Sequence, residues 1–377
     1  MKAISMFSIA LLAGLGGLFS CNNSSNAPPD EDVAQLLAAQ NKNATPAEPS
    51  ASVPERPAFN PRLLRRFKPI SGPVAADDNP STPEKIALGR TLYYDARLSR
   101  NHDVSCNSCH ALDRYGVDGE KTSKGHGGQR GNRNSPTVFH AAGFFSQFWD
   151  GRAENVEEQA KGPITNPIEM ALASPEDAVA VVKSIPAYVS MFKAAFPNDP
   201  KPVSFDNLAK AIGCFERGLI TPSRWDKFLE GDKSALTAQE VEGLKIFTNV
   251  GCMVCHTGEY LGGSMFEKAG VVEAWPNQAD KGRHQVTKHK ADEMMFKVPT
   301  LRNVEKTAPY FHDGSVATLP EAVRIMGRHQ LGLELTDAEV DAIVAWLATL
   351  TGELPMDYIA RPTLPSSTPK TPKPNPT

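Results

Sequence analysis

The sequence contains few cysteines and carries almost no net charge. Six cysteines in 377 residues are too few for a scaffold built from disulfides. A formal charge of −3 lacks the large basic excess typical of nucleic-acid-binding proteins, so no nucleic acid is expected as a partner. With 22% charged and 40% hydrophobic residues, the composition is ordinary for a soluble globular protein and excludes a multi-span membrane protein.

The first twenty residues have the features of an export signal. Lys2 is their one charged residue, and the apolar run from Ile4 to Phe19 is too short to span a bilayer comfortably. The run ends in Ser20-Cys21, which resembles a bacterial lipobox, where the cysteine becomes the lipidated N-terminus. We therefore predict a lipoprotein signal peptide over residues 1–20 and an anchor at Cys21 that holds the protein to a membrane in the periplasm. The alternative is an ordinary cleaved signal peptide.

Prolines mark two segments that are not expected to fold. The 31 prolines cluster before Pro83 and again after Pro355. Residues 21–60 have too few large apolar side chains to offset the entropy of ordering, and they predict a disordered tether. Residues 351–377 predict a Pro-rich, linker-like tail. The remaining chain is long enough for two domains, which we place at 61–222 and 223–350.

Helical patterns dominate the two predicted domains. Helices are predicted to begin near Pro83 and Ser174 and to cover Phe205–Leu219, Thr237–Phe247 and Thr336–Leu350. No alternating pattern of useful length indicates a sheet. The expected fold class is therefore all-α with long loops.

A Cys-x-x-Cys-His motif occurs twice, at Cys106–His110 and at Cys252–His256. Two thiols at this spacing can bond to both vinyl groups of one haem, and the histidine that follows then lies where it can bind the iron. Each motif follows a helix-like segment, which indicates a repeated cytochrome c-like domain. We predict two covalently bound haem c groups, one in each domain. Their expected attachment residues and iron ligands are Cys106, Cys109, His110, Cys252, Cys255 and His256.

Two other uses of a Cys-x-x-Cys pair fit less well. Zinc sites usually combine two such pairs within about 15–20 residues, whereas these pairs lie much further apart. A thioredoxin-like redox pair needs a βαβ context, which the helical pattern lacks. Cys214 lies in an apolar helical pattern with Ile212 and Phe215, and we expect it to be a core residue without a catalytic role.

Several longer strings of residues lie around and between the motifs. They are Leu98 to His110, Asn134-Ser-Pro-Thr, Phe148-Trp-Asp-Gly-Arg-Ala, Asn166-Pro-Ile-Glu-Met, Phe296 to Val304 and Ala308-Pro-Tyr-Phe-His-Asp-Gly-Ser. In this order the strings resemble the bacterial di-haem cytochrome c peroxidases and the related MauG enzymes, and the resemblance covers Thr82 to Leu350. It implies an N-terminal haem of low potential, where peroxide reacts, and a C-terminal haem of high potential.

The resemblance also implies a distal ligand for each haem iron. Met326 is the implied ligand of the C-terminal iron, where a thioether would raise the reduction potential. The residue pattern alone does not favour Met326 over Met265, Met294 or Met295. MauG has tyrosine at this position, so the methionine favours a peroxidase.

His126 is the implied removable ligand of the N-terminal iron. It lies in Gly125-His126-Gly127-Gly128, and a glycine-rich segment lets the histidine leave at modest conformational cost. Taken by itself, this pattern is also typical of a surface histidine on a flexible loop.

Glu169 is the implied acid–base residue of the peroxide site. Cleaving peroxide requires a proton to move from one oxygen to the other, and one positioned carboxylate can accept and return it. The alternative is an exposed glutamate at the start of a helix. Gln159 and Pro163 match other pocket positions of the family, and Trp149 matches a tryptophan that lies between the haems and aids electron transfer. Trp149 could otherwise be a core aromatic.

The family also has a calcium ion between its two domains. The side chain of Asn134 and the backbone carbonyls of Thr307 and Pro309 occupy the matching positions. Oxygen atoms of this kind suit calcium.

These features predict an enzyme that reduces hydrogen peroxide to two waters. Electrons would enter at the C-terminal haem from a small cytochrome c or a cupredoxin and would pass Trp149 to the N-terminal haem. Reduction of the C-terminal haem would release His126, and calcium would stabilise the resulting state. Related enzymes are often homodimers. Two alternatives stay open: a MauG-like enzyme that oxidises a protein side chain, and a di-haem electron-transfer protein without turnover.

Overall fold

A computed structural model describes residues 60–375, and the predicted signal peptide, Cys21 and the tether lie outside these residues apart from residue 60. Helices cover Pro83–Tyr93, Cys106–Cys109, Val156–Thr165, Pro175–Lys183, Pro186–Ala195, Phe205–Glu216, Arg224–Leu229, Ala238–Val250, His284–Thr287, Leu319–Leu331, Asp337–Ala348 and Met356–Ile359. Two short strands, Phe266–Lys268 and Met295–Lys297, pair antiparallel. The prediction of a mostly helical fold with long loops is confirmed.

The helices begin where side chains cap their free amides. The hydroxyls of Thr82, Ser174, Thr237 and Thr336 each accept a hydrogen bond from the amide three residues later. Such a bond satisfies one of the donors that the first helical turn leaves unpaired. These local signals explain why the predicted helix starts are confirmed.

Each domain is built on a pair of helices that cross at a glycine. Gly89 of the Pro83–Tyr93 helix lies so close to the carbonyl of Ala211 that a Cβ atom there would collide with it. Gly243 makes the same approach to the carbonyl of Ala342. A residue without a side chain is needed for backbones to pack this closely. The two helix pairs repeat one arrangement, which agrees with the repeated domain that the sequence predicts.

The domains have separate hydrophobic cores. The N-terminal core surrounds Leu88, Leu92 and Phe215. Cys214 is fully buried in the Phe205–Glu216 helix, as predicted. The C-terminal core surrounds Trp225 and Trp346, whose ring centres lie 5.5 Å apart.

Segments near both ends of the described residues 60–375 cross from one domain to the other. Phe67, which the predicted boundaries assign to the N-terminal domain, packs in the C-terminal core with its ring centre 5.4 Å from that of Trp225. Ile359, beyond the predicted end of the C-terminal domain, packs in the N-terminal core. The packing therefore differs from the predicted boundaries at both ends.

The C-terminal segment is not the linker that its composition predicts. The Thr371 side chain is buried, and its hydroxyl accepts a hydrogen bond of 2.9 Å from Ser184. The hydroxyl of Thr368 donates to the carbonyl of Ser184 at 2.9 Å, and the amide of Asn375 donates to the carbonyl of Arg100 at 2.9 Å. Prolines restrict the segment to an extended path that follows the N-terminal domain closely, so the prediction of a linker-like tail is wrong up to residue 375.

Within residues 60–375, no single helix is both long enough and apolar enough to cross a membrane. One bent pair of helices, Pro175–Lys183 and Pro186–Ala195, meets the length and composition criterion only when both helices are counted together. Ala178, Val182 and Phe192 of this pair are buried in the N-terminal core.

Candidate active site

One continuous cavity runs through both domains and across the boundary between them. Both Cys-x-x-Cys-His motifs line it, although they are far apart in the chain. The motif residues in its wall are Cys106, Cys109, His110, Cys252, Cys255 and His256. The fold thus brings the two predicted haem sites to one internal space.

The first motif forms a short helix that directs its histidine inward. Ser105 caps this helix, and its hydroxyl and that of Ser108 form a reciprocal capping box. Nδ1 of His110 lies 3.3 Å from the carbonyl of Gly116, which holds the ring in place. Burial lowers the pKa of His110, so the imidazole is neutral. With Nδ1 engaged by a carbonyl, Nε2 remains for an iron, the arrangement usual for metal-binding histidines.

The second motif has the same arrangement on a different local structure. The Ala238–Val250 helix ends at Gly251, whose φ of 105° needs glycine, and Cys252–Val254 then forms a single helical turn. Nδ1 of His256 lies 3.1 Å from the carbonyl of Leu261, and burial lowers the pKa of this histidine as well. Both motifs therefore fit a haem that is bonded through two thioethers and held at the iron by histidine.

Glu169, Gln159 and Pro163 all line the N-terminal part of the cavity. Burial raises the pKa of Glu169, and the charge of Arg152 and a hydrogen bond from Asn166 partly oppose this shift. The side-chain amide of Asn166 donates to Oε1 of Glu169 at 2.8 Å, which fixes the carboxylate. A held carboxylate with a raised pKa is suited to accept and return a proton.

His126 is buried but is not among the residues that line the cavity. Its backbone amide donates to the carbonyl of Glu169 at 2.8 Å, so the His126 segment and the Glu169 segment are joined. Its Nδ1 is buried without a hydrogen-bond partner. Gly127 and Gly128 on its C-terminal side have φ angles of 61° and 76°, which glycine adopts without strain.

Trp149 lies in the cavity wall at the boundary between the domains. Its Nε1 donates to the carbonyl of Asn134 at 2.9 Å, and the amide of Lys297 in the C-terminal domain donates to its carbonyl at 2.7 Å. The first bond holds the indole ring, and the second joins the backbone of Trp149 to the C-terminal domain.

The three residues that the resemblance implies for calcium also line the cavity. They are Asn134, Thr307 and Pro309. The side-chain amide nitrogen of Asn134 donates to the carbonyl of Glu120 at 3.0 Å, which leaves the amide oxygen for a cation. This donor set of neutral oxygens fits calcium.

Met326 lines the C-terminal part of the cavity from the Leu319–Leu331 helix. Of the other methionines considered from sequence, Met265, Met294 and Met295 do not line it. Met294 instead packs in a small cluster with Trp275 and Phe296. Of these four methionines, Met326 is therefore the one that lines the cavity.

Five charged residues of the cavity wall were missed from sequence. They are Arg133, Arg152, Glu216, Glu267 and Lys297. Burial raises the pKa of Glu216 to about 8, with Glu157 adding to the shift. The available signal was a charged residue inside an otherwise apolar string, as for Lys297 between Phe296 and Val298.

Residues 83–234 match the family described as di-haem cytochrome c peroxidase, and residues 240–351 match the cytochrome c family. The chain is 48% identical over 324 residues to cytochrome c551 peroxidase of Pseudomonas aeruginosa, and the aligned region covers 84% of this chain and 92% of the relative. It is 34% identical over 323 residues to the methylamine utilization protein MauG of Methylorubrum extorquens, and the aligned region covers 82% of this chain and 89% of that relative. A crystal structure of a MauG-like protein associated with microbial copper homeostasis matches with a TM-score of 0.70 and 31% identity, over 78% of this chain and 97% of that chain.

The fold and the two motifs define a di-haem c-type cytochrome. The chain belongs to the di-haem cytochrome c peroxidase family. The predicted family and the two cytochrome c-like domains are thereby confirmed. Cytochrome c551 peroxidases share more identity with this chain than MauG does, which makes the MauG-like alternative secondary.

Proposed function

We propose that this protein is a periplasmic cytochrome c peroxidase that reduces hydrogen peroxide to water with electrons from a small cytochrome c or a cupredoxin. The observation that carries the proposal is the single cavity in which both haem motifs, Glu169 and Trp149 meet. The test is peroxide consumption by the half-reduced holoprotein supplied with a reduced cytochrome c. Absence of turnover would favour an electron-transfer protein.

The haems would supply the redox chemistry, and the chain's own residues would position them and move the proton. His110 and His256 would each bind one iron, and Met326 would be a second protein ligand of the C-terminal iron. At the peroxide site, Oε2 or Oε1 of Glu169 would accept the proton of the first peroxide oxygen and deliver it to the departing one. Gln159 would help to orient the substrate. Trp149 would lie on the electron path between the two haems.

Met326 also separates this proposal from a MauG-like function. A thioether ligand favours a high potential for the C-terminal haem, and a haem of that kind can store one electron for the peroxide site. Optical and magnetic spectra of the resting protein should therefore show a low-spin haem with histidine and methionine ligands. A histidine–tyrosine signature would contradict this assignment.

We further propose that His126 gates the peroxide site and that calcium at Asn134, Thr307 and Pro309 stabilises the open state. The hydrogen bond from the His126 amide to the Glu169 carbonyl supports a link between the gate and the acid–base residue. A homodimer is part of this proposal, as in related enzymes.

Replacing His126 with Gly should give a protein that reacts with peroxide without prior reduction, because no imidazole can then occupy the iron. Stopped-flow absorption of the fully oxidised protein mixed with peroxide measures this. The control is His289→Gly, which removes an exposed histidine and should leave the need for reduction unchanged. If His126→Gly still requires reduction, His126 is not the gate.

We propose that Cys21 carries a lipid anchor. Replacing Cys21 with Ser should release the protein from membranes into the soluble fraction, because serine cannot be lipidated at this site. Fractionation of cells that express either protein, followed by immunoblotting, measures the change. A wild-type protein that is already soluble would disprove the anchor.

A further inference from the structure

Lys297 is a buried lysine at the boundary between the two domains. It ends the Met295–Lys297 strand, pairs with Phe266 of the neighbouring strand, and lines the cavity with only 7% of its surface exposed. Lysines are rarely buried to this degree unless a negative charge lies opposite them. The structure therefore raises the question of what neutralises this ammonium.

The contacts of Lys297 are made with neutral groups. Its Nζ donates to the carbonyl of Ser146 at 2.9 Å and lies 4.8 Å from the ring centre of Phe144. An ammonium has three N–H donors, so a carbonyl and a ring face leave donor capacity unused.

A carboxylate that influences the charge of Lys297 already binds two arginines. Asp150 is the carboxylate that acts electrostatically on Lys297. Its oxygens accept hydrogen bonds from Arg133 at 2.6 Å and from Arg152 at 3.1 Å. Burial lowers the pKa of Lys297 to about 7, and the charge of Asp150 opposes the shift without cancelling it. Within residues 60–375, Lys297 thus has a carbonyl, a ring face and the shared charge of Asp150 as its partners, and no carboxylate accepts a hydrogen bond from it.

We propose that Lys297 is an anion-binding residue of the cavity and that its ligand is a propionate carboxylate of one of the two haems. This inference rests on the two haems of the proposed function. Each haem carries two propionates, and both attachment motifs line the cavity that Lys297 faces. A buried propionate carboxylate and a buried ammonium each lose solvation, and pairing them offsets this cost for both groups.

The position of Lys297 gives this contact a consequence for electron transfer. Its backbone amide donates to the carbonyl of Trp149 at 2.7 Å, so the side chain that would bind the haem is joined to the residue between the haems. A positive charge close to a haem stabilises the reduced iron, which has one positive charge fewer. Lys297 would therefore raise the reduction potential of the haem whose propionate it binds.

The test is a redox titration of the holoprotein followed by optical spectra, with wild type compared with Lys297→Met, Lys297→Gln and Lys297→Arg. In the Met and Gln variants the equilibrium constant for reduction of one haem should fall roughly tenfold, as Coulomb's law gives for unit charges about 10 Å apart at an effective dielectric constant of about 20. The Arg variant should keep the wild-type value. The haem that responds identifies the source of the propionate.

The matched control is Lys268→Met, which removes an exposed lysine from the paired strand and should change neither haem. Equal potentials in wild type, Lys297→Met and Lys297→Gln would overturn the proposal and leave Lys297 as a bridge between domains. Resonance Raman spectra supply a second measurement, which Lys297→Arg allows even if the uncharged variants do not bind both haems. If Lys297 binds a propionate, the propionate bending bands should differ between wild type and Lys297→Arg. Identical bands in the two proteins would also overturn the proposal.

Neither measurement depends on turnover. A protein with two haems and no peroxide consumption would disprove the proposed function but would still allow this test. Normal turnover with unchanged potentials and propionate bands in the variants would disprove the role of Lys297 alone.

Discussion

Replacing Glu169 with Gln is expected to lower peroxide turnover by roughly 10²–10⁴-fold, the usual scale for general acid–base catalysis, while both haem spectra stay unchanged. Glutamine keeps the side-chain length, and its amide oxygen can accept the same hydrogen bond from Asn166. It cannot take up a proton from peroxide. The substitution therefore removes the proton transfer and little else. Steady-state turnover with a reduced cytochrome c measures the loss.

The control for this prediction is Glu158→Gln. Glu158 lies in the Val156–Thr165 helix close to Gln159, but half of its side chain is exposed and it pairs with Lys161 at the surface. A general effect of lost negative charge would appear in both variants, whereas loss of the acid–base residue appears in one. Turnover of Glu169→Gln equal to that of wild type would show that another group moves the proton.

The raised pKa of Glu169 also predicts how activity depends on pH. The carboxylate must be ionised to accept the first proton, and burial raises its pKa above the ordinary value of 4.5. Activity should therefore be lost as the pH falls through a value above 4.5, and it should be present at higher pH. Glu169→Gln should lack this acidic limb. Measuring kcat/KM against pH in both proteins separates a proton-transfer role from a purely structural one.

Sequence predicted the parts of this protein that depend on neighbouring residues. A threonine or serine before a helical pattern caps the helix through an amide only three residues away, so Thr82, Thr237 and Thr336 mark helix starts without any knowledge of the fold. The haem motifs are equally local, because two thiols and a histidine within five residues define the attachment. These signals need no long-range contact.

The features that sequence missed depend on contacts across the chain. The tail is rich in proline and polar residues, which by themselves indicate a linker. Its hydrogen bonds to Arg97, Arg100 and Ser184 hold it against the N-terminal domain. The strands Phe266–Lys268 and Met295–Lys297 are three residues each, too short for an alternating pattern to appear. The burial of Lys297 against neutral groups could not be predicted from sequence, because its hydrogen-bond acceptor, the carbonyl of Ser146, is distant in the chain.

Replacing Arg302 with Met is expected to lower the free energy of unfolding by about 3–5 kcal/mol, the usual cost of removing one partner from a buried ion pair. Arg302 is fully buried, and its Nη1 lies 2.8 Å from Oδ2 of Asp226. It also donates to the carbonyl of Glu259 at 2.9 Å and so joins the loop that follows His256 to the helix that begins at Arg224. Methionine fills the volume but leaves the carboxylate buried without its cation.

The charge state of Asp226 sets the pH range in which this ion pair contributes. Burial opposes ionisation of Asp226, but Arg302 and the amides of Ile70 and Ser223 outweigh it and lower the pKa below 3.8. A carboxylate whose folded pKa is lowered adds stability above its unfolded pKa, and the stability is lost as the pH falls through the folded value. Urea unfolding at neutral pH therefore measures the full effect of Arg302→Met.

Arg224→Met is the matched control, because Arg224 also pairs with a carboxylate but in solvent. Its Nη2 lies 2.5 Å from Oε1 of Glu240, and 48% of its side chain is exposed. Water can solvate both groups once the pair is broken, so the loss should be at most about 1 kcal/mol. Similar losses in the two variants would show that burial of the Asp226 charge does not determine the cost. A large loss for Arg302→Met alone would show that burial of the unpaired Asp226 charge determines the cost.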